Sequence, residues 1–334
     1  MNGPVFVTGG SGLVGKAVVN HLVAAGQEVR ALARSEAART SLEELGAKTV
    51  PGDILDEASV RAAMTGCGVA YHIAGLNAFC LRDPAPLFRV NVEGSLNVVR
   101  AAAAAGVGRL LYTSSAATLG ERKGTVGSEA SPHRGSFLSE YERSKFEAER
   151  VVLIEGRARD LDVVCVNPSS VQGPGRTGGT AKILVAFLNG KLKYFVKTNI
   201  SLVDIDDCAR GHLLAAQRGR DGQRYVLNGA SIPIERALEI VAEITGTRHR
   251  PRILPGTLAT AGGTVVGALA RLRGGESAPV CREMVRTLRH GHDYDGSRAA
   301  RELGLVYTPI EETLRRTVEW LVDEGLTPAR PRLN

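Results

Sequence analysis

A chain of 334 residues with 43% hydrophobic and 23% charged residues can fill one large domain, or one with a smaller companion, which excludes extensive disorder. The formal charge of +7 contains no run of five or six basic residues, and aromatics are only 4%, which argues against a nucleic-acid surface. That charge fits either an anionic ligand such as a phosphorylated cofactor or plain solvated surface.

In chain order, residues 4–8 read as a strand buried on both faces, followed by a Gly-rich turn. Residues 13–25 read as a helix that Gly26 ends. Strands follow at 28–33, 48–51 and 69–73. An Ala-rich helix covers 87–105 and stops at Gly106, and 109–113 makes a fifth strand. Helical character runs through 139–159, and 162–166 makes a sixth strand. This alternation implies right-handed crossovers and a parallel sheet, an α/β fold of the Rossmann-type doubly wound kind.

Past Pro168 the pattern loosens. Residues 171–199 are rich in Gly and Lys, 201–205 and 224–227 look like strands around a helix at 207–217, and helices dominate beyond Pro233. Breaks fall at Pro251, Pro255, Gly274-Gly275 and Pro309. We expect a dinucleotide-binding domain of 1–170 plus 200–230. A smaller, mostly helical substrate lobe, assembled from the discontinuous segments 171–199 and 231–330, is expected to close over the sheet's carboxyl edge, where such sheets bind ligands.

Thr8-Gly9-Gly10-Ser11-Gly12-Leu13-Val14-Gly15 joins the first strand to the first helix. Gly9 permits the tight turn, Gly12 lets the backbone approach a pyrophosphate, and Gly15 allows close helix–strand packing. The helix amino terminus offers N–H groups and a positive dipole end to phosphates. At the end of the second strand an acid would accept from a ribose 2′-hydroxyl; here the run is Val29-Arg30-Ala31-Leu32-Ala33-Arg34-Ser35. Arg34 either pairs with a 2′-phosphate or is a solvated residue, and the missing acid favours NADP(H), with NAD(H) as the other option. After the third strand, Asp53 either accepts from an adenine amino group, with Ile54 packing on the ring, or caps the next helix.

Tyr141-Glu142-Arg143-Ser144-Lys145 sets a phenol and an ammonium one turn apart on one helix face. A free phenol near pKa ~10 is too weak an acid for neutral pH; a neighbouring positive charge lowers it and allows proton exchange with a carbonyl or alcohol oxygen. The fifth strand ends in Thr113-Ser114-Ser115, hydroxyls at the carboxyl edge able to polarise that oxygen.

Together with Tyr71-His72-Ile73-Ala74-Gly75, Asn91-Val92-Glu93-Gly94, Asn167-Pro168, Gly173-Pro174-Gly175 and Val203-Asp204, these motifs resemble an extended short-chain dehydrogenase/reductase. The chain is similar to the NAD-dependent epimerase/dehydratase group, and within it to dihydroflavonol-reductase-like and 3β-hydroxysteroid-dehydrogenase-like proteins. The resemblance implies Tyr141 as acid/base, Lys145 lowering its pKa and holding the nicotinamide ribose, and Ser115 on the substrate oxygen, with Ser114 as fallback. Gly9, Ser11, Gly12, Leu13, Val14 and Gly15 would cradle the cofactor, Ala74 and Gly75 would line it, and Pro168 would approach the nicotinamide. His72 reads as structural; Asn91 either supports the cofactor pocket or bonds within its helix. A homodimer through helices 87–105 and 139–159 is implied by the resemblance alone.

The remaining polar clusters read as structural. His290-Gly291-His292-Asp293 has a chelating spacing, yet no third ligand cluster accompanies it, so no metal is expected. Asp204, Asp206 and Asp207 read as caps of the following helix. Cys67, Cys80, Cys165, Cys208 and Cys281 are odd in number, scattered and without a Cys-x-x-Cys pair. They read as mostly inert buried thiols of a reduced, cytoplasmic protein. No signal peptide is read at the amino terminus, and the apolar stretch 256–272 is too short and Gly-broken to span a membrane, reading instead as a buried or substrate-facing helix.

The first functional expectation is an NADP(H)-dependent oxidoreductase acting on a carbonyl or secondary alcohol of a small molecule. The second is a nucleotide-sugar epimerase or dehydratase with tightly held NAD(P), for which the lysines between 182 and 197 leave room for an anionic substrate. The third, an NADP-sensing protein, fits least because both Tyr141 and Lys145 are present.

Overall fold

The computed structural model describes residues 3–254 and 281–327. Seven strands build the central sheet: β1 (Val5–Thr8), β2 (Val29–Ala33), β3 (Lys48–Pro51), β4 (Val69–His72), β5 (Arg109–Thr113), β7 (Asp162–Pro168) and β11 (Arg224–Leu227). Their order is β3-β2-β1-β4-β5-β7-β11, and every pairing is parallel. The order reverses between β1 and β4, which opens a crevice at the carboxyl ends of those strands. Buried Val, Leu and Ala on both faces of β1, β2, β5 and β7 explain why the sheet needs a helical layer on each side.

One layer holds α1 (Leu13–Ala24), α2 (Glu36–Glu43) and α8 (Ile205–Arg218), whose Val18, Val19, Leu22, Leu42 and Ala209 pack on β1, β2 and β7. The other holds α3 (Glu57–Met64), α5 (Gly94–Ala104) and α6 (Glu140–Ala158), which bury Met64, Val98, Val99, Ala148 and Val152. The Ala-rich stretch expected as one helix over 87–105 is divided: α4 (Ala85–Phe88) leads through a π-turn, Arg89–Glu93, into α5. The start of α6 is fixed by its own residues. Ser139 Oγ accepts from Glu142 N at 3.0 Å, and the Glu142 carboxylate accepts from Leu138 N at 2.8 Å.

A separate apolar cluster joins α7 (Thr180–Leu188), α9 (Ile234–Thr245) and a carboxyl-terminal helix (Ile310–Asp323) through Phe187, Leu188, Leu238, Val241, Leu314 and Val318. Beside it, β8 (Ser170–Gln172), β10 (Asn199–Asp204) and β12 (Ala230–Pro233) form a second, three-stranded sheet, while the short strands β6 (Val126–Gly127) and β9 (Tyr194–Val196) pair with Asp293–Tyr294 and Arg252–Leu254. Sequence pattern assigned 200–230 to the dinucleotide domain. Of that stretch α8 packs on the large sheet and β11 joins it, whereas β10 pairs with β8 and β12.

The cysteine reading needs a correction. Cys80, in the loop after β4, is disulfide-bonded to Cys281, which precedes the helix Arg282–His290. The pairing joins residues 201 positions apart and is invisible to spacing rules. Only Cys67, Cys165 and Cys208 are buried free thiols, so the argument for reducing surroundings rests on those three. Among the described residues no helix is long and apolar enough to cross a membrane, and the stretch 256–272 lies outside them.

Candidate active site

The turn after β1 is shaped by contacts that only glycine tolerates. Gly9 has φ +70°, and a Cβ there would fall 2.4 Å from Ala74 N. A Cβ on Gly15 would fall 2.0 Å from the Gly9 carbonyl oxygen, so α1 is seated directly on the turn. Gly12, by contrast, is exposed and meets only one protein atom, at 3.4 Å. It is the N-cap of α1, with no side-chain cap and no acid in the first turn, which leaves Ser11, Leu13 and Val14 framing an uncapped helix start. The loop carrying Gly175 reaches over this start, where a Cβ would lie 3.3 Å from Leu13.

At the carboxyl ends of β4, β5 and β7 the predicted residues come together. Ser115 sits at the N-cap of a 3₁₀ turn (Ala116–Leu119), where its hydroxyl accepts from Ala117 N, and it lies close enough to the Tyr141 phenol to act on its pKa. Burial pushes the Tyr141 phenol up, while Ser115 and the Arg176 guanidinium pull it back. Phe79 packs its ring 5.5 Å from that of Tyr141. Ser114 is buried, and its hydroxyl has no hydrogen-bond partner. Of the two hydroxyls, Ser115 is the one that acts on the Tyr141 phenol.

Lys145 is held by the strand below it. Its Nζ donates to Tyr112 Oη at 3.0 Å and to the Thr113 carbonyl at 2.9 Å, and it is not among the groups that lower Tyr141. Burial lowers its own pKa to about 8, although Glu149 opposes the shift. Glu149 lies one further turn along α6 and is itself held by Thr118 at 3.1 Å, Asn167 at 2.6 Å and Arg224 at 3.1 Å. A Cβ on Gly75 would sit 3.7 Å from Lys145 Nζ, so the ammonium lies against the groove that Ala74 and Gly75 line. Pro168 is buried at the end of β7.

Sequence reading missed Tyr112, Glu149, Phe79 and Arg176. The Tyr141, Lys145, Glu149 spacing of four was a usable signal for Glu149. Tyr112 depends on how β5 faces α6, which no local pattern reveals.

Around the expected adenosine end, Arg34 is 76% exposed, with its guanidinium 3.8 Å from Asp53. Asp53 does not cap the next helix; Asp56 does, accepting from Ala58 N and Ser59 N. Asp53 instead accepts from Leu55 N at 3.0 Å. The Ile54 side chain packs against α5, where a Cβ on Gly94 would meet it at 2.7 Å.

His72 is structural, bonded to Thr8 at 2.7 Å and Ser95 at 2.9 Å, and burial lowers it to about 3. Asn91 bonds outside its helix: its amide bridges the Leu76 backbone and Ser144, tying the loop after β4 to α6. Asp204 caps α8 and pairs with Arg316, while Asp207 accepts from Thr308 N at 2.6 Å.

The metal expectation also needs correcting at its premise. Folding supplies the missing third ligand type beside His290 and His292, namely Glu121 from the loop after β5, with all three donor atoms within 4.8 Å of one another. Burial pushes the Glu121 carboxyl up, but the two imidazoles facing it outweigh that and hold it at about 2.

A doubly wound sheet, a glycine cradle at its crevice and a Ser, Tyr and Lys set at its carboxyl edge define a dinucleotide-dependent α/β enzyme. Comparison with known proteins gives that class its family. Residues 5–228 match the NAD dependent epimerase/dehydratase family, and the chain belongs to it, as an enzyme of the extended short-chain dehydrogenase/reductase type. It is 34% identical to a Synechocystis protein provisionally named dihydroflavonol 4-reductase, over 96% of this chain and 95% of that one. It is 30% identical to the 2-alkyl-3-oxoalkanoate reductase of Shewanella oneidensis, over 93% and 84%. Among solved structures, the crystal structure of gox2253 superposes with a TM-score of 0.86 at 31% identity, covering 98% of this chain and all of that one.

Proposed function

We propose that the protein is an NADP(H)-dependent reductase that moves hydride between the nicotinamide and a carbonyl or secondary alcohol of a small molecule. The observation that carries this reading is the convergence of Ser115, the Tyr141 phenol and the buried Lys145 ammonium at the carboxyl edge of the sheet, with Ser115 and Arg176 both pulling the phenol's pKa down against burial. The residues fit a dinucleotide: an exposed Gly12 and an uncapped helix start for the pyrophosphate, and a buried ammonium against the Gly75 groove for the ribose. When bound, the nicotinamide supplies or accepts the hydride.

In the reducing direction Ser115 donates a hydrogen bond to the substrate carbonyl oxygen and Tyr141 gives it the phenolic proton, leaving a phenolate that solvent reprotonates. Arg176, whose charge favours the phenolate, eases that transfer. Lys145 holds the ribose hydroxyls and adds positive charge, with Tyr112, Thr113 and Glu149 fixing its position. Arg34, at the tip of β2 with no competing acid in the strand, pairs with the 2′-phosphate. The reductases among the relatives favour net reduction over epimerisation.

Tyr141→Phe keeps the ring and removes the proton. Loss of at least about 100-fold in kcat on a carbonyl substrate, with NADPH binding retained, is the expected outcome. Full turnover in that variant would remove Tyr141 from the mechanism.

We also propose a homodimer through α5 and α6, where Ile154 stands 62% exposed. Sedimentation at micromolar concentration should give twice the chain mass, and Ile154→Glu should give the monomer.

A further inference from the structure

Three side chains outside the reaction site converge on one point. His290 ends the helix Arg282–His290, Gly291 breaks it with φ +70°, and the chain turns so that His292 faces the same way. Both imidazoles meet Glu121, some 170 positions earlier in sequence: His292 Nδ1 lies 2.6 Å and His290 Nε2 3.5 Å from its Oε1. The rings of the two histidines are 5.3 Å apart, centre to centre.

The hydrogen-bond inventory of this cluster is incomplete. Glu121 is 2% exposed and its Oε2 has no partner; His290 is 8% exposed, and its Nε2 makes no hydrogen bond despite facing Glu121. Buried polar atoms left without partners are costly, so a group that uses both is favoured there. Behind His292, the Tyr294 hydroxyl lies 2.9 Å from Nδ1. A cavity of about 210 Å³, lined by Lys123, Thr198, Asn199, His290 and Asp293, opens beside the cluster and gives an entry path.

We propose that Glu121, His290 and His292 form a binding site for one divalent transition-metal ion of the zinc class. Two imidazole nitrogens and one carboxylate oxygen are a borderline donor set that zinc accepts, with a fourth position left for water. A tetrahedral ion with bonds of about 2.0–2.1 Å needs donors about 3.3 Å apart, so the His292–Glu121 pair, now 2.6 Å apart, opens slightly while the wider separations, up to 4.8 Å, close onto the ion.

Such an ion has a structural consequence. The helix Arg282–His290 already starts at the disulfide to Cys80, its Glu283 accepts from Glu140 N, and its Arg286 donates to the Leu138 carbonyl. A metal at its end would pin the same helix to the loop after β5. Both ends of the element covering the start of α6 would then be fixed.

The test uses untagged, full-length protein. Metal is stripped by chelator and dialysis, zinc is titrated in competition with a chromophoric chelator, and Co²⁺ is added separately for its absorption spectrum. One zinc per chain, weakened at least tenfold by H292A and by E121Q, is expected. The Co²⁺ form should show ligand-field bands of a nitrogen/oxygen site without thiolate charge transfer, a readout that needs only the wild-type chain. Zinc should also raise the melting temperature of the wild type and leave E121Q unmoved. No zinc binding by the wild type at 100-fold molar excess, or affinity unchanged in folded H292A and E121Q, would overturn the site. So would a thiolate signature, which would place the metal on the cysteines.

Discussion

Tyr141 and Lys145 are one helical turn apart, yet they do separate work. Tyr141 is tuned by Ser115 and Arg176, and Lys145 by the strand below it. With its pKa lowered to about 8, Lys145 keeps its proton below that pH and loses it above. An interaction that needs the ammonium is therefore fully present at pH 7 and is lost as pH rises through 8, at up to tenfold per unit. NADPH affinity measured from pH 6.5 to 9.5 should follow that curve, and Lys145→Arg, whose charge persists, should flatten it. A flat wild-type profile would separate Lys145 from cofactor binding.

At this scale the Tyr and Lys were legible because helical spacing alone places them on one face. Tyr112 and Arg176 were not, since each reaches the site through tertiary packing. The packing of Ile54 against α5 was also not legible, because the sequence does not show that Gly94 leaves room for its side chain.

Among elements, the glycine turn and α1 act as one unit. Gly15→Ala drives a methyl into the Gly9 carbonyl, so the helix must lift from the turn. Loss of measurable dinucleotide binding and a melting temperature several degrees lower are expected; unchanged binding by calorimetry would show that the close seating is dispensable. Ser139→Ala removes the cap of α6 and is expected to cost about 1 kcal/mol in urea unfolding, with cofactor affinity unchanged. Strands β1 to β5 were readable from apolar runs bounded by turns. The strand over 201–205 was readable as a strand, but its pairing with β8 and β12 was not, because nothing in Ser201-Leu202-Val203-Asp204-Ile205 distinguishes one sheet from another. The helix α7 was hidden among glycines and lysines.

For the whole molecule, two buried histidines shape acid stability. Burial lowers His72 to about 3 and His212 to about 4, both below the ordinary 6.5. Between pH 6.5 and 4 the unfolded chain takes up protons that the folded chain refuses, so stability falls as pH falls, by up to about 1.4 kcal/mol per unit for each residue. Urea unfolding at pH 7 and pH 5 should show that loss, and His212→Asn should reduce it. The long-range order of the molecule was the least legible part. The Cys80–Cys281 bond and the meeting of Glu121 with His290 and His292 join segments that no local periodicity relates.

The central claim is a reductase that exchanges NADP(H), read from Arg34 and from a crevice suited to a dinucleotide. Fluorescence titration of the purified protein with NADPH and NADH, alongside chromatography of any nucleotide released on denaturation, tests it directly. The account predicts little retained nucleotide and at least tenfold tighter NADPH than NADH, a preference that Arg34→Glu removes. Stoichiometric NAD retained through purification would contradict it and would turn the reading towards an epimerase or dehydratase.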